Sequence, residues 1–393
     1  MFSFERALSR NESNAEKYRL REKLFGTEDI LPAWVADMDI ETPSFVLEAV
    51  AKRLRHPIVG YEEMPDSAFL AQIAWMKEHH NVEFLREELF YSPSVVATMS
   101  MAIEVFTQEG DGVIVQTPVY TPFFKSVQKL GRRVVKNPLC LREDGSYTFD
   151  IEDFKAKITK DTKLLLLCSP HNPLGRVWRR EELEAIAELC YEKGIVVFAD
   201  EIHCDLVYKP YKHIPFASLN PHARDISLTA IGVGKTFNMA GFAISSVAIP
   251  NKELRERFAL AYERVHFAEG AVLSHVAFEA AYREGGLWLE ALKEYLWHNY
   301  ELLLDLSRNY SHLIKVTPLE GTYLAWIDCR GMGMSDRALR EWFVKEAKLG
   351  LNAGIAFGRE GSGFMRLNFA VPSDTMLDII ERLQRALQSY DKD

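Results

Sequence analysis

Between about residues 88 and 285, short apolar runs alternate with longer segments of helical period. The runs LFYSP, GVIVQTP (112–118), RRVVKNPL, KLLLLCSP (163–170), IVVFADE (195–201) and AISSVAIP (243–250) read as strands, together with the stretch around Ile226, Leu228, Thr229 and Ile231. Between them SVVATMSMAIEVFT, TPFFKSVQKLG, IEDFKAKIT and REELEAIAELCYEKG have helical spacing, the last closed by Gly194. Strand and helix in alternation predict an α/β unit with a mostly parallel, seven-stranded sheet and helices on both faces. Upstream, LPAWVADMDIETP (31–43) reads as a short strand broken by Asp37, Asp39 and Pro43. SFVLEAVAKRLR is a helix with Ser44 as its expected N-cap, and Asp66 or Ser67 is expected to cap FLAQIAWMKEHHN. Downstream, KELRERFALAYERV and EALKEYLWHNYELLLDLSRNY read as long helices. After 311 the order is strand, helix, strand, helix, the pattern of a smaller α+β domain. The expected division is an arm and part of the small domain at 1–43, a large domain at 44–285 and a small domain at 286–393.

Composition narrows the classes. The chain has 393 residues, 48% of them apolar, enough for a large core in two domains. Net charge is −9 with no basic block, which argues against a nucleic-acid surface. No apolar run reaches the roughly 18 residues of a membrane span. The N-terminus, MFSFERALSRNESNAEKYRLREK, lacks the apolar core of a signal peptide. Five cysteines without a CxxC fit buried free thiols in a reducing compartment, so a cytoplasmic protein is expected.

Polar residues recur where strands run out, the place where open α/β sheets bind ligands. Ser94, Val95 and Val96 open a helix after YSP. Tyr120 follows GVIVQTP, Asn172 follows LLLLCSP, Asp200 ends IVVFAD, and Lys235 stands on a Gly-X-Gly loop, Gly232 to Gly234. A P-loop would need glycine at position 229, which is Thr229, and its acidic strand should follow the lysine, whereas IVVFADE precedes it. A lysine forming a Schiff base with a pyridine-aldehyde cofactor suits the set better. Such a cofactor needs an acid at its ring nitrogen (Asp200), an aromatic face (Tyr120), a donor to its phenolic oxygen (Asn172) and a helix N-terminus for its phosphate. Arg366 in GFMRLNFA can take a substrate carboxylate bidentately.

Ten stretches in order, WVADMD, GYEEMPDS, SPSVVATMSMAI, QTPVYTPFF, CSPHNPLGRVW, ADEIHCDLVY, HIPFASL, GKTFNMAGF, GTYLAW and FMRLNFA, resemble the fold-type I pyridoxal-phosphate enzymes of the class I/II aminotransferase family. More narrowly, the chain resembles the cystathionine β-lyase branch, carbon–sulfur lyases of the PatB and MalY type. The resemblance implies that Lys235 carries pyridoxal 5′-phosphate and is the base at Cα. It implies that Asp200 pairs with the ring nitrogen, that Asn172 and His203 lie near O3′, where most relatives outside the branch have Tyr instead of His203, and that Tyr120 stacks on the ring. Arg366 then holds the α-carboxylate of an amino-acid substrate, and Ala36 and Asp37 line the substrate side. Tyr61 reaches the phosphate in the neighbouring subunit of a homodimer with shared active sites. The Asn172–Pro173 bond is cis in such relatives. The implied reaction cleaves a thioether or thiol from Cβ, giving thiol, pyruvate and ammonia, with Tyr120 or Lys235 protonating the thiolate. An aminotransferase, or a regulatory protein on the same fold, could be built from the same parts. Two departures stand out. Relatives commonly place serine directly before the lysine and many have a hydroxyl three residues before it; here these are Gly234 and Gly232, so two phosphate ligands are absent. The arginine that many aminotransferases carry eight residues after the lysine is Ala243.

Each residue also has a plainer reading. Lys235 alone could be a surface lysine, Asp200 a helix cap, Asn172 a turn residue, Tyr120 core and His203 a hydrogen-bonded structural histidine. Arg366 could pair with Glu320 or Asp37. The His79–His80 and His203–Cys204 pairs lack metal-site spacing and read as surface or packing residues.

Overall fold

A computed structural model describes residues 2–266 and 270–392. The apolar runs form one seven-stranded sheet from β1 (Leu89–Ser92), β2 (Gly112–Val115), β3 (Arg133–Lys136), β4 (Thr162–Cys168), β5 (Val196–Asp200), β6 (Ser227–Ile231) and β7 (Ser245–Ala248). Their spatial order is β1-β7-β6-β5-β4-β2-β3. β2 to β6 pair in parallel, and β7 runs antiparallel to both of its neighbours. β4 shows why so apolar a run forms a central strand. Leu164 and Leu166 pack with helices on one face, while Leu165 and Leu167 pack on the other. The first face carries α3 (Val95–Phe106), α4 (Pro122–Lys129) and α6 (Lys252–Arg264), which follow α1 (Ser44–Leu54) and α2 (Asp66–His80) in the chain; the second carries α5 (Arg180–Glu192). Each fully buried leucine contributes on the order of 2 kcal/mol. The register sets Cys168 beside Asp200 and Asp200 beside Ala230, so these strands end together at one edge.

The C-terminal part holds α7 (Val272–Glu284), α8 (Gly286–Asn309), α9 (Asp336–Lys345) and α10 (Ser373–Tyr390). With them stands an antiparallel sheet in the order β8 (Lys315–Val316), β9 (Leu324–Asp328), β11 (Phe364–Asn368), β10 (Asn352–Ala353). The arm joins this part, with Leu31–Pro32 running parallel to Leu349–Gly350.

Local expectations need correction at several points. The strand over 31–43 is two residues long, because the chain bends after Pro32. Ser44 and Asp66 are first helical residues after Pro43 and Pro65, and neither helix has a side-chain cap. Asp66 instead bonds Arg86, and Ser67 donates to Glu279. α7 is a further helix between the two expected ones, in a stretch given no element from the sequence. The Gly-X-Gly segment is no open loop; Gly232 precedes a helical turn, Val233–Thr236. Four cysteines are buried free thiols, but Cys140 is exposed.

Candidate active site

The segments that leave the sheet at this edge enclose a cavity of about 190 Å³. Lys235, on the turn after β6, has its Nζ 2.6 Å from the carbonyl oxygen of Ala36, to which it donates. Burial lowers the ammonium pKa to about 8; Asp37 and Asp200 oppose the shift, while Arg366 and Lys17 add to it. Asp200, the last residue of β5, is also buried. Its carboxyl is pushed up to about 7 by burial, against the bond it accepts from the Ile202 N–H at 3.2 Å and the charge of Lys235. The segment after it turns without forming a helix, so Asp200 is not a helix cap.

His203 lines the same cavity. Burial lowers its pKa to about 3, leaving a neutral imidazole, and its Nδ1 has no partner among the described residues. Asn172, past β4 and in a cis bond to Pro173, accepts the Tyr120 N–H on its backbone oxygen at 3.1 Å. Tyr120 and Asn172 are thereby fixed to one another on the cavity wall. Val95 and Val96 form the first turn of α3. Helix geometry leaves their N–H groups without intrahelical acceptors, while the N-cap Ser94 accepts from Ala97 at 3.2 Å.

Arg366 arrives from β11, in register with Trp326 and Asn352. Its guanidinium donates to Asn172 Oδ1 (3.0 Å), Asn352 Oδ1 (2.7 Å) and the carbonyl of Trp34 (2.7 Å). Burial lowers its pKa to about 10. Among the described residues it has no carboxylate partner. Glu320 pairs with Arg179, and Asp37 with Arg10 (2.7 Å) and Lys17 (2.9 Å), so neither acid of the plainer reading engages Arg366.

Ala36 lines the cavity, but Asp37 faces away into this ion cluster. Burial alone would raise the Asp37 carboxyl; Lys17 and Arg10 outweigh it and hold the carboxyl below its ordinary value. Tyr61 is 98% exposed, on a segment without regular secondary structure and outside the cavity.

Tyr323, Asn352 and Lys17 escaped the sequence reading. The Tyr323 hydroxyl donates to the same Ala36 carbonyl as Lys235, at 2.8 Å, and its ring meets His203 edge-on. The Lys17 side chain is fully buried between Asp37 and Asp39. Only Tyr323 lay within a motif already singled out, GTYLAW.

The family model for aminotransferase class I and II matches residues 36–383. Cystathionine beta-lyase PatB of Bacillus subtilis is 39% identical over 386 residues, spanning 98% of this chain and all of the relative. A PLP-bound putative aminotransferase from Clostridium difficile has a TM-score of 0.96 at 36% identity, covering 98% of this chain and 100% of the other. Cystalysin from Treponema denticola, whose structure contains a pyridoxal 5′-phosphate cofactor, has a TM-score of 0.95 at 32% identity and 99% coverage of both chains. The match of fold, motif order and length is near complete, and the chain belongs to the class I and II aminotransferase family.

Proposed function

We propose that the chain is a pyridoxal 5′-phosphate-dependent carbon–sulfur β-lyase. Its substrates are amino acids with a thioether or thiol at Cβ, of the cystathionine type. With water they give a thiol, pyruvate and ammonia. The observation that carries the reading is a buried guanidinium, Arg366, without a carboxylate partner among the described residues, beside a cavity that also holds a lysine of lowered pKa and a buried acid. That the Bacillus relative is named a cystathionine beta-lyase supports elimination over amino transfer.

The cavity residues fit the cofactor. Asp200 is a carboxyl whose ionisation burial penalises, raising its pKa to about 7, and a protonated ring nitrogen would relieve that cost. His203 Nδ1 is a buried polar atom with no partner among the described residues, suited to a ring oxygen. The free N–H groups of Val95 and Val96 would take the phosphate, Tyr120 would lie on the ring face, and Asn172 would donate its amide to O3′. Bound there, the cofactor would supply an electron sink for the pair left on Cα when its proton is removed.

Arg366 binds the substrate α-carboxylate and fixes which Cα bond faces the lysine. With its pKa near 8, the Lys235 amine is partly unprotonated at neutral pH and removes the Cα proton. Burial raises the Tyr120 pKa, so its hydroxyl keeps its proton and can deliver it to the departing sulfur; the Lys235 ammonium is the other donor in reach. The Ala36 carbonyl holds Lys235 at rest, and Asp37 secures that carbonyl through the arm.

The chain acts as a homodimer in this reading. Tyr61, with the exposed Ile58 and Val59, reaches the partner's phosphate site. The buried free thiols fit the cytoplasm, and no helix among the described residues is long and apolar enough to cross a membrane. The test is a pyruvate and thiol assay with cystathionine and no keto-acid acceptor. Turnover is expected. Activity only with an acceptor would replace the lyase by an aminotransferase, and failure to take up cofactor at all would favour a regulatory protein.

A further inference from the structure

We propose that Asp205 is a positioning residue that anchors the turn bearing Lys235 from behind; this rests on the reading of Lys235 as the reacting amine. Asp205 lies beyond His203 on the segment leaving β5, and its side chain is buried. Its Oδ1 accepts from Trp75 Nε1 at 2.9 Å and stands 2.7 Å from His80 Nε2, both on α2. Its Oδ2 accepts the Thr236 hydroxyl at 2.7 Å. Burial pushes this carboxyl up, yet the bonds from His80, Thr236 and Trp75 hold it at about 2, so it stays ionised.

Thr236 directly follows Lys235, and the two side chains diverge. Lys235 reaches the cavity and Ala36, while Thr236 is fully buried against Asp205. Phe237 continues the contact, meeting Trp75 edge-on at 5.6 Å. A four-residue helical turn does not hold itself, because helix nucleation is unfavourable. Glycines at 232 and 234 loosen this one further. The chain Trp75–Asp205–Thr236 supplies from outside the order that the turn lacks. His80, Cys204 and Asp205 place ligand-type atoms within 4.8 Å of one another, as a metal site would. Both Asp205 oxygens are engaged, however, and burial holds the Cys204 thiol protonated, so the cluster works as a hydrogen-bond network.

Thr236→Val keeps the shape and removes only the link, and Thr236→Ser keeps the link. The first readout is acetylation of Lys235 by acetic anhydride against pH in the full chain stripped of cofactor, followed by mass spectrometry. Wild type and Thr236→Ser are expected to share a midpoint near 8, and Thr236→Val to move toward the free-lysine value of about 10.4. The second is kinetics of the cofactor-loaded enzyme. There Thr236→Val is expected to lose about tenfold or more in kcat with KM within about twofold, and the serine variant to recover most of it. If the valine variant fails to fold, Thr236→Ala makes the same cut with the same expected midpoint. A Thr236→Val protein with wild-type midpoint and kcat overturns the proposal, as does a serine variant as impaired as the valine one. A wild-type chain that takes no cofactor defeats the lyase reading, while the labelling still decides on the anchor.

Discussion

Serine restored at each of the two glycines flanking Lys235 should have opposite effects. Gly232 has φ −177° and ψ 164°, an extended backbone that any residue adopts, so space alone decides there. A Cβ at 232 would stand 2.9 Å from Ser245 Cβ, 3.0 Å from Ile202 Cδ1 and 3.2 Å from Ser245 Cα. Two of these atoms belong to or adjoin the backbone of β7, which is paired on both sides and cannot retreat. Gly232→Ser is therefore expected to cost about 1–3 kcal/mol of stability, the range for overpacking, and to weaken cofactor binding by displacing the turn. A Cβ at 234 meets nothing closer than Ala240 Cα at 3.6 Å, an ordinary contact. Gly234→Ser adds about 0.5 kcal/mol of helix preference and puts a hydroxyl on the cavity wall. A hydrogen bond from that hydroxyl to a charged phosphate contributes about 1.5–3 kcal/mol, or tenfold or more in cofactor affinity. Urea unfolding of the cofactor-free chain and absorbance titration with pyridoxal phosphate measure the two quantities. Ser245→Gly in the Gly232→Ser background should return part of the lost stability, since Ile202 still crowds the site. The reasoning fails if Gly232→Ser is as stable as wild type and binds cofactor more tightly.

Three further outcomes are expected. Asp200 has a folded pKa raised to about 7 from an ordinary 3.8, so its contribution to stability is lost as pH climbs between those values. The cofactor-free Asp200→Asn variant should be more stable than wild type by a few kcal/mol at pH 8, with the gap opening from pH 4 to 7 and flat above, while lyase activity collapses; equal urea midpoints at pH 8 would refute the burial argument. Lys17→Ala leaves Asp37 and Asp39 without their buried cation and is expected to cost about 3–5 kcal/mol in urea unfolding, and a loss under 1 kcal/mol would show the cluster to be solvated. Tyr61→Ala should leave unfolding of the cofactor-free chain within about 0.5 kcal/mol of wild type, because the side chain touches little in one protomer. Its cofactor dissociation constant should rise about tenfold; unchanged affinity would remove Tyr61 from the partner's site.

What was legible in the sequence is what local pattern encodes. KLLLLC could only be a strand buried on both faces, and the polar residues that end such strands had to gather at one sheet edge. Lys235, Asp200, Asn172 and Tyr120 were found that way, His203 only through the family resemblance, and all five line one cavity. Contacts between distant segments were not legible. Tyr323 and Ala36 are 287 residues apart, and Lys17 is buried only because Asp37 and Asp39 fold back over it. The Asp205 anchor escaped for the same reason: Trp75, Asp205 and Thr236 come from three elements, and no spacing joins them. The glycines beside Lys235 show how one local fact changes meaning when its neighbours are known. In the sequence, both marked missing phosphate ligands. In the fold, Gly232 is required by Ser245, and only Gly234 leaves room for the missing hydroxyl. The turn is consequently held less by its own residues than by the carboxylate behind it, so its rigidity should depend on Asp205 and Thr236 more than in a chain with hydroxyl residues at both places.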